Sequence, residues 1–236
     1  NPASNYSPIQ NTSPLLWMEM AVGQKNVEKY VLLAIKMDQN EHALELFARA
    51  AKLRPEVPQY WISYVNALIN THSLSRARKL FLALVPEIKS EAVIRKAEEL
   101  MNSAAWKANP PANLLDPIRN SYSTGSHANC IRLSTQLHAS YPESFLLCAL
   151  QAAAYAALGD LATAERHCRQ AIFFCSNYAD AHNNLGCILN MRGAWKDAVR
   201  SFETAIQLAP EYAEAHMNIG RIRKDWDDFI GAEQFL

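Results

Sequence analysis

The sequence predicts an all-α protein, a solenoid of stacked antiparallel helix pairs. Three observations predict it. The stretch HNNLGCILNMRGAWKDAVRSFETAIQLAP, residues 182–210, matches its neighbours when shifted by 34 residues in either direction. Small residues (Gly186, Gly193, Ala198, Ala205) sit among large ones at offsets that the shift preserves. A lone proline, Pro210, closes the stretch where the next copy begins. A self-match at one fixed period marks a repeat array, in which each unit buries its apolar face against the next.

Each element has its own reason. Residues 1–23 read as an N-terminal extension, with a cap helix over 8–22 carrying Leu15, Leu16, Trp17, Met18 and Met20. Counting units from position 1 to position 34, residues 24–57 place Ala43, Phe47, Ala50 and Pro55 at positions 20, 24, 27 and 32. Residues 58–91 place Trp61, Tyr64, Leu68, Ala77 and Phe81 at positions 4, 7, 11, 20 and 24. These two units form a first block, 24–91. Residues 92–110 interrupt the register. EAVIRKAEELMNSAAW (91–106) has helical periodicity, and KANPPAN (107–113) reads as a break.

A second block, 111–236, follows. Unit 111–144 is degenerate: Gly125 and Pro142 keep their places, but Ser121, Cys130 and Ser134 stand where larger or apolar residues are usual. Pro117 inside its first helix predicts a late start or a kink. Unit 145–178 is well formed, with Tyr155, Gly159, Ala164 and Ala171. In unit 179–212, Gly186 and Ala198 fall where the paired helices cross, so that only small side chains fit, with Phe202 and Leu185 filling the space beside them. Gly193 supplies a left-handed turn, and Pro210 stops the second helix. Unit 213–236 is incomplete, ending at position 24, and the sequence reads as a fragment with more chain expected beyond Leu236. Asp225, Asp227 and Asp228 are expected in a solvated turn between its two helices.

Composition narrows the function. Lys+Arg and Asp+Glu are each 23 in 236 residues, so the formal net charge is zero. That balance argues against nucleic-acid and membrane-surface partners. No apolar run reaches the roughly 18–20 residues of a membrane span, and the polar start NPASNYSPIQNTSP lacks the apolar core of a secretory leader. Five cysteines (Cys130, Cys148, Cys168, Cys175, Cys187) with no C-x-x-C pattern read as reduced thiols of a cytoplasmic protein, small core side chains and not metal ligands. His167 and Cys168 are adjacent and point apart on a helix. No phosphate-cradling, dinucleotide, metalloprotease or nucleophile-elbow motif occurs, so no catalytic residue, metal or cofactor is expected. His182 and His216 recur at position 4, where structural duty is expected.

The period and the residues together resemble the tetratricopeptide repeat, a pair of helices with W-x2-L-G-x2-Y, A-x3-F and P. From Ala179, Leu185 and Gly186 take positions 7 and 8, Ala198 takes 20, Phe202 takes 24, Ala205 takes 27 and Pro210 takes 32. His182 replaces the Trp and Leu189 the Tyr. The resemblance implies a right-handed superhelix in two blocks separated by the extra helix. It also implies a non-catalytic scaffold whose concave groove binds a protein or peptide segment. The groove residues it implies are Asn183, Asn184, Cys187 and Asn190 on one first helix, with Asn218 and Arg221 on the next. Asn184 and Asn218 share position 6, similar to the asparagine ladder of protein O-GlcNAc transferases, but Leu150 and Asp116 hold that position upstream, leaving two rungs. Of the carboxylate clamp of chaperone-binding repeats, Asn218 alone fits, since Asn183 and Cys187 replace its Lys and Asn; chaperone-tail binding is not expected.

A looser pattern through Pro111, Leu114, Tyr122, Gly125, Tyr141 and Pro142 is similar to the repeat arms of bacterial transferases. It implies an alternative, a substrate-recognition arm of a larger glycosyltransferase- or sulfotransferase-type enzyme with its catalytic domain beyond Leu236. Self-association through the repeat face stays open as a third use.

Overall fold

The computed structural model describes residues 40–71 and 73–233. The cap helix expected over 8–22 and the first helix of unit 24–57 lie outside them. Among the described residues the secondary structure is helical, with no strand. Two compact units are present, residues 1–100 and 101–236.

In the first unit, α1 (Asn40–Leu53), α2 (Pro58–Thr71) and α3 (Leu74–Leu84) are followed by a 3-10 turn at Val85–Glu87. α1 packs on α2, and α2 on α3. Pro58 opens α2, where its missing N–H costs nothing. Ser73 caps α3 by accepting from the Arg76 amide. Phe47 and Ala50 on α1, Trp61 and Leu68 on α2, and Ala77 and Phe81 on α3 are all buried. These are the residues the repeat register sends inward. The next helix, α4 (Glu91–Lys107), crosses the unit boundary. Its buried face is Val93, Ala97, Met101 and Ala105, one residue per turn.

The second unit continues with α5 (Ala112–Ser123), α6 (His127–His138), α7 (Phe145–Ala157), α8 (Leu161–Phe174), α9 (Ala179–Met191), α10 (Trp195–Leu208) and α11 (Ala213–Glu233). The first six form three helix–turn–helix pairs. Each pair turns on a glycine at position 15 of its unit, Gly125, Gly159 and Gly193, with φ of 76°, 83° and 77°. A side chain would be strained in that left-handed conformation, so glycine dictates where the first helix ends. Asp160 and Ser144 then cap α8 and α7.

Three expectations need correction. Of the late start or kink expected for α5, the late start does not occur: the helix begins at Ala112 and carries Pro117 inside it. The space above Gly186 is filled by Phe202, not Ala198. A Cβ built on Gly186 would lie 2.6, 2.7 and 2.8 Å from three atoms of that ring. Finally, the backbone has no turn at Asp225–Asp228, because α11 runs as one helix through Glu233. The physical reason is position 15, where Asp227 replaces the glycine of the three preceding units. Without a residue that enters the left-handed region freely, the helix continues.

The end of α4 does more than separate two blocks, because it is latched into the second unit. Asn109 Oδ1 accepts from the Ser144 hydroxyl at 2.7 Å and from the Leu146 amide at 3.1 Å. Asn102 Oδ1 accepts from the Ser176 amide at 3.2 Å and its hydroxyl at 3.3 Å. Trp106, between them, packs edge-on against Phe145 at 4.8 Å. Asn102 on α4 and Asn109, two residues past its end, thus hold two successive inter-unit loops.

Candidate functional site

The first helices α9 and α11 bring most of the expected groove residues together. Asn218 Nδ2 on α11 lies 3.3 Å from Asn183 Oδ1 and 3.4 Å from Cys187 Sγ on α9. Arg221 in turn donates to Asn218 Oδ1 at 3.3 Å. One amide thus links a buried acceptor to an exposed guanidinium. Asn183 is 1% exposed, so its side chain is part of the packing and not open to a ligand. Asn184 and Asn190 are half-buried and stand apart from this chain. The two expected rungs at position 6 are therefore unequal. Asn218 is tied to position 5 of the preceding unit, while Asn184 is not joined to it.

Upstream, α7 changes the character of the same face. Leu146 and Leu150, at positions 2 and 6, are half-buried and apolar. On α5, Arg119 lies 3.6 Å from Asp116 in an exposed pair. Such a pair contributes little in water.

A group of aromatic residues not singled out above lies beside this face. The Asp180 carboxylate, near the start of α9, bears on both Tyr178 and Tyr212. Burial, then the Asp180 carboxylate, pushes both phenols well above the ordinary tyrosine range. Tyr178 also meets Phe145 at 4.8 Å and Trp106 at 6.2 Å, the Trp106 contact being perpendicular. The signal that could have found it is the recurrence of Tyr178 and Tyr212 at position 34, each two residues before an acidic residue at position 2.

The histidines have a structural role, shared by three unit junctions. His182 Nε2 donates to the Ser176 carbonyl and His216 Nε2 to the Pro210 carbonyl, each at 2.9 Å. His138 Nε2 donates to the Pro142 carbonyl at 3.0 Å. Ser176, Pro210 and Pro142 all hold position 32, so every one of these junction carbonyls meets an imidazole. Unit 145–178 has Cys148 at position 4, and there the histidine comes from the preceding helix instead.

The thiols suit a packing role. Cys130, Cys148, Cys168 and Cys175 are buried, and Cys187 is half-buried. Burial pushes Cys148 and Cys168 up to about 12, which suppresses the reactive thiolate. Among the described residues no group of three or more His, Cys, Asp or Glu could hold a metal ion. None of the described helices is long and apolar enough to cross a membrane.

The tetratricopeptide-repeat family model matches residues 31–92. Residues 31–92 carry tetratricopeptide repeats. The match spans the two units of the first block, where Ala77 and Phe81 are buried at their family positions. No curated protein matches the sequence. Among solved structures, the first repeat domain of the human RPAP3 protein is 22% identical, covering 49% of this chain and 91% of that one at a TM-score of 0.47. The Sgt2 repeat domain of Aspergillus fumigatus is 18% identical, covering 51% and 83% at 0.48. The TPR2AB domain of yeast Sti1, solved as a complex with pHSP90, is 15% identical, covering 89% and 88% at 0.42.

Proposed function

We propose that the second unit is a non-catalytic interaction scaffold, which holds a polypeptide segment of a protein partner against the face formed by α7, α9 and α11. The observation that carries this reading is the bonded row Asn183–Asn218–Arg221. It runs from a buried acceptor to an exposed cation across two successive first helices. A prearranged polar row of this kind costs little reorganisation on binding. Beside it, the apolar Leu146 and Leu150 offer surface to side chains, and the half-buried Asn184 offers both a donor and an acceptor to a peptide backbone.

Asn218→Ala removes the link and frees Arg221 from its anchor. Affinity for a captured partner should fall by about tenfold, the effect of one lost, well-placed polar contact. Asn184→Ala should have a smaller effect, since that amide is unanchored. Both variants should keep the wild-type circular dichroism spectrum. Capture unchanged in Asn218→Ala, measured by titration calorimetry, would remove the row from the binding surface.

A further inference from the structure

We infer that the second helices of the second unit carry a docking surface for an acidic polypeptide segment, formed by Arg132, Arg166, Arg169 and Arg192. The inference goes beyond the proposed groove, which lies on first helices. Its starting point is an exposed arginine at position 22 of three successive units, Arg132 on α6, Arg166 on α8 and Arg200 on α10. α6 and α8 both pack on α7, so the shared register sends Arg132 and Arg166 to the same side. α6 has no acidic residue, and α8 has one, Glu165.

That one carboxylate is already occupied. Its side chain is 15% exposed and joins two exposed arginines of different units. Arg169 donates to Glu165 Oε1 through Nε at 2.9 Å and Nη2 at 2.8 Å, and Arg192, just past the end of α9, donates to Oε2. Arg132 is held by neutral acceptors, Asn129 Oδ1 at 2.8 Å and Gln136 Oε1 at 3.1 Å. Arg166 Nη2 lies 3.5 Å from His167 Nε2. Neither Arg132 nor Arg166 forms an ion pair among the described residues. The other carboxylate nearby, Asp160, caps α8 through the Thr163 amide at 3.1 Å. On α10, by contrast, Lys196 and Arg200 are matched by Asp197 and Glu203, and Arg200 donates to Asp197 at 3.1 Å. The positive excess is therefore local to α6, α8 and the end of α9. A guanidinium fork that its neighbours already orient loses little freedom on meeting a carboxylate, and it can grip one through two parallel bonds. A basic segment would meet like charge, which costs affinity. The zero net charge of the chain favours a polypeptide over nucleic acid as the occupant.

The test uses the full chain and three peptides on one Gly-Ser framework, with glutamate, glutamine or lysine at every third position. The glutamate peptide should bind about tenfold more tightly than the glutamine peptide at low salt, and the lysine peptide least. The preference should fade as salt shortens the screening length from about 30 Å at 0.01 M to about 8 Å at 0.15 M. Arg132→Gln and Arg166→Gln should each weaken glutamate-peptide binding severalfold, and the two together should remove the preference, with the circular dichroism spectrum unchanged. Asn218→Ala should leave it intact, which separates this surface from the groove. Equal binding of the glutamate and glutamine peptides would overturn the docking surface and leave the groove standing. A preference that survives the double variant would place the acidic segment elsewhere and overturn the assignment. A single-stranded DNA oligonucleotide that displaces the glutamate peptide more effectively than unlabelled glutamate peptide does would make nucleic acid the occupant and overturn it as well.

Discussion

Units 179–212 and 213–233 carry the same opening signature, yet among the described residues only the first forms a helix pair. Both have histidine at position 4, bonded to the carbonyl at position 32 of the unit before. Both have glycine at position 8, Gly186 and Gly220. Gly186 lies under the Phe202 ring, whereas a Cβ on Gly220 would meet nothing within 4 Å. At position 15 the first has Gly193 with φ of 77°, and the second has Asp227 and an unbroken helix. The small residue at position 8 is thus a requirement only when a second helix returns over it. The glycine at position 15 supplies the turn from which it returns.

The strongest way to break this comparison is to remove the ring. Phe202 is 1% exposed and sits in the cluster formed by Leu185, Ile188, Leu189, Ala198 and Ala205. Phe202→Ala should cost about 3–5 kcal/mol, because the cavity adds to the lost transfer energy. Denaturant unfolding of the two proteins side by side measures it. A cost below about 1 kcal/mol would mean that the α9–α10 pair is not held by this contact.

Gly186→Ala is the complementary change. Its added methyl would lie 2.6 Å from the nearest ring atom, so the buried ring must move. Overpacking should cost about 1–3 kcal/mol, outweighing the helix propensity gained by replacing glycine. In a double-mutant cycle with Phe202→Leu the two costs should not add, since the smaller side chain leaves room for the methyl. Strict additivity would separate the two residues.

The register of this fold was legible in the sequence because it rests on single residue types with one physical meaning. Glycine at position 15 is needed for a positive φ, and Gly125, Gly159 and Gly193 all provide it. Unit 111–144 looked degenerate for a different reason. Its positions 8 and 24 carry Ile118 and Ser134, where unit 179–212 carries Gly186 and Phe202, and all four are buried. Large and small have exchanged places across the pair. A pattern of residue types reads that as two mismatches, but packing constrains the summed volume. The Ser134 hydroxyl is satisfied by the Cys130 carbonyl at 2.7 Å, and the Ser121 hydroxyl by the Pro117 carbonyl at 2.9 Å. The candidate site was partly legible. Asn218 and Arg221 follow from their positions, but the bond to Asn183 depends on how far one helix is set from the next. The contacts of Tyr178 with Trp106 and Phe145 needed the fold, because they join three elements far apart in the sequence.

Unit 145–178 sharpens the comparison through pH. Its position 23 is His167, stacked on Tyr155 at position 11 with ring centroids 5.5 Å apart and planes 5° apart. Unit 179–212 has Ser201 and Leu189 there. Burial, then Arg166 and His138, lowers His167 to about 4. The unfolded chain takes up this proton as pH falls through about 6.5, and the folded chain does not until about 4. The contribution is therefore complete above pH 6.5 and is lost as pH falls towards 4. The loss should be on the order of 1–2 kcal/mol once solvent screening is allowed for. His167→Phe keeps a stacked ring and removes the titration, so its stability relative to wild type should rise as pH falls across that window. A constant difference between the two proteins from pH 7 to 4 would assign the acid sensitivity to other groups.

The smallest effect tests the terminal unit directly. Gly220 lies inside α11 with no positive φ and nothing within 4 Å of a built Cβ. It therefore bears the entropic cost of glycine in a helix with no packing return. Gly220→Ala should stabilise the protein by about 0.5–1 kcal/mol, opposite in sign to the identical change at Gly186. Thermal unfolding of the two alanine variants gives both signs in one experiment. If Gly220→Ala were destabilising by as much as Gly186→Ala, the space over Gly220 would have to be filled in solution as Phe202 fills it over Gly186. The difference between the two units would then disappear.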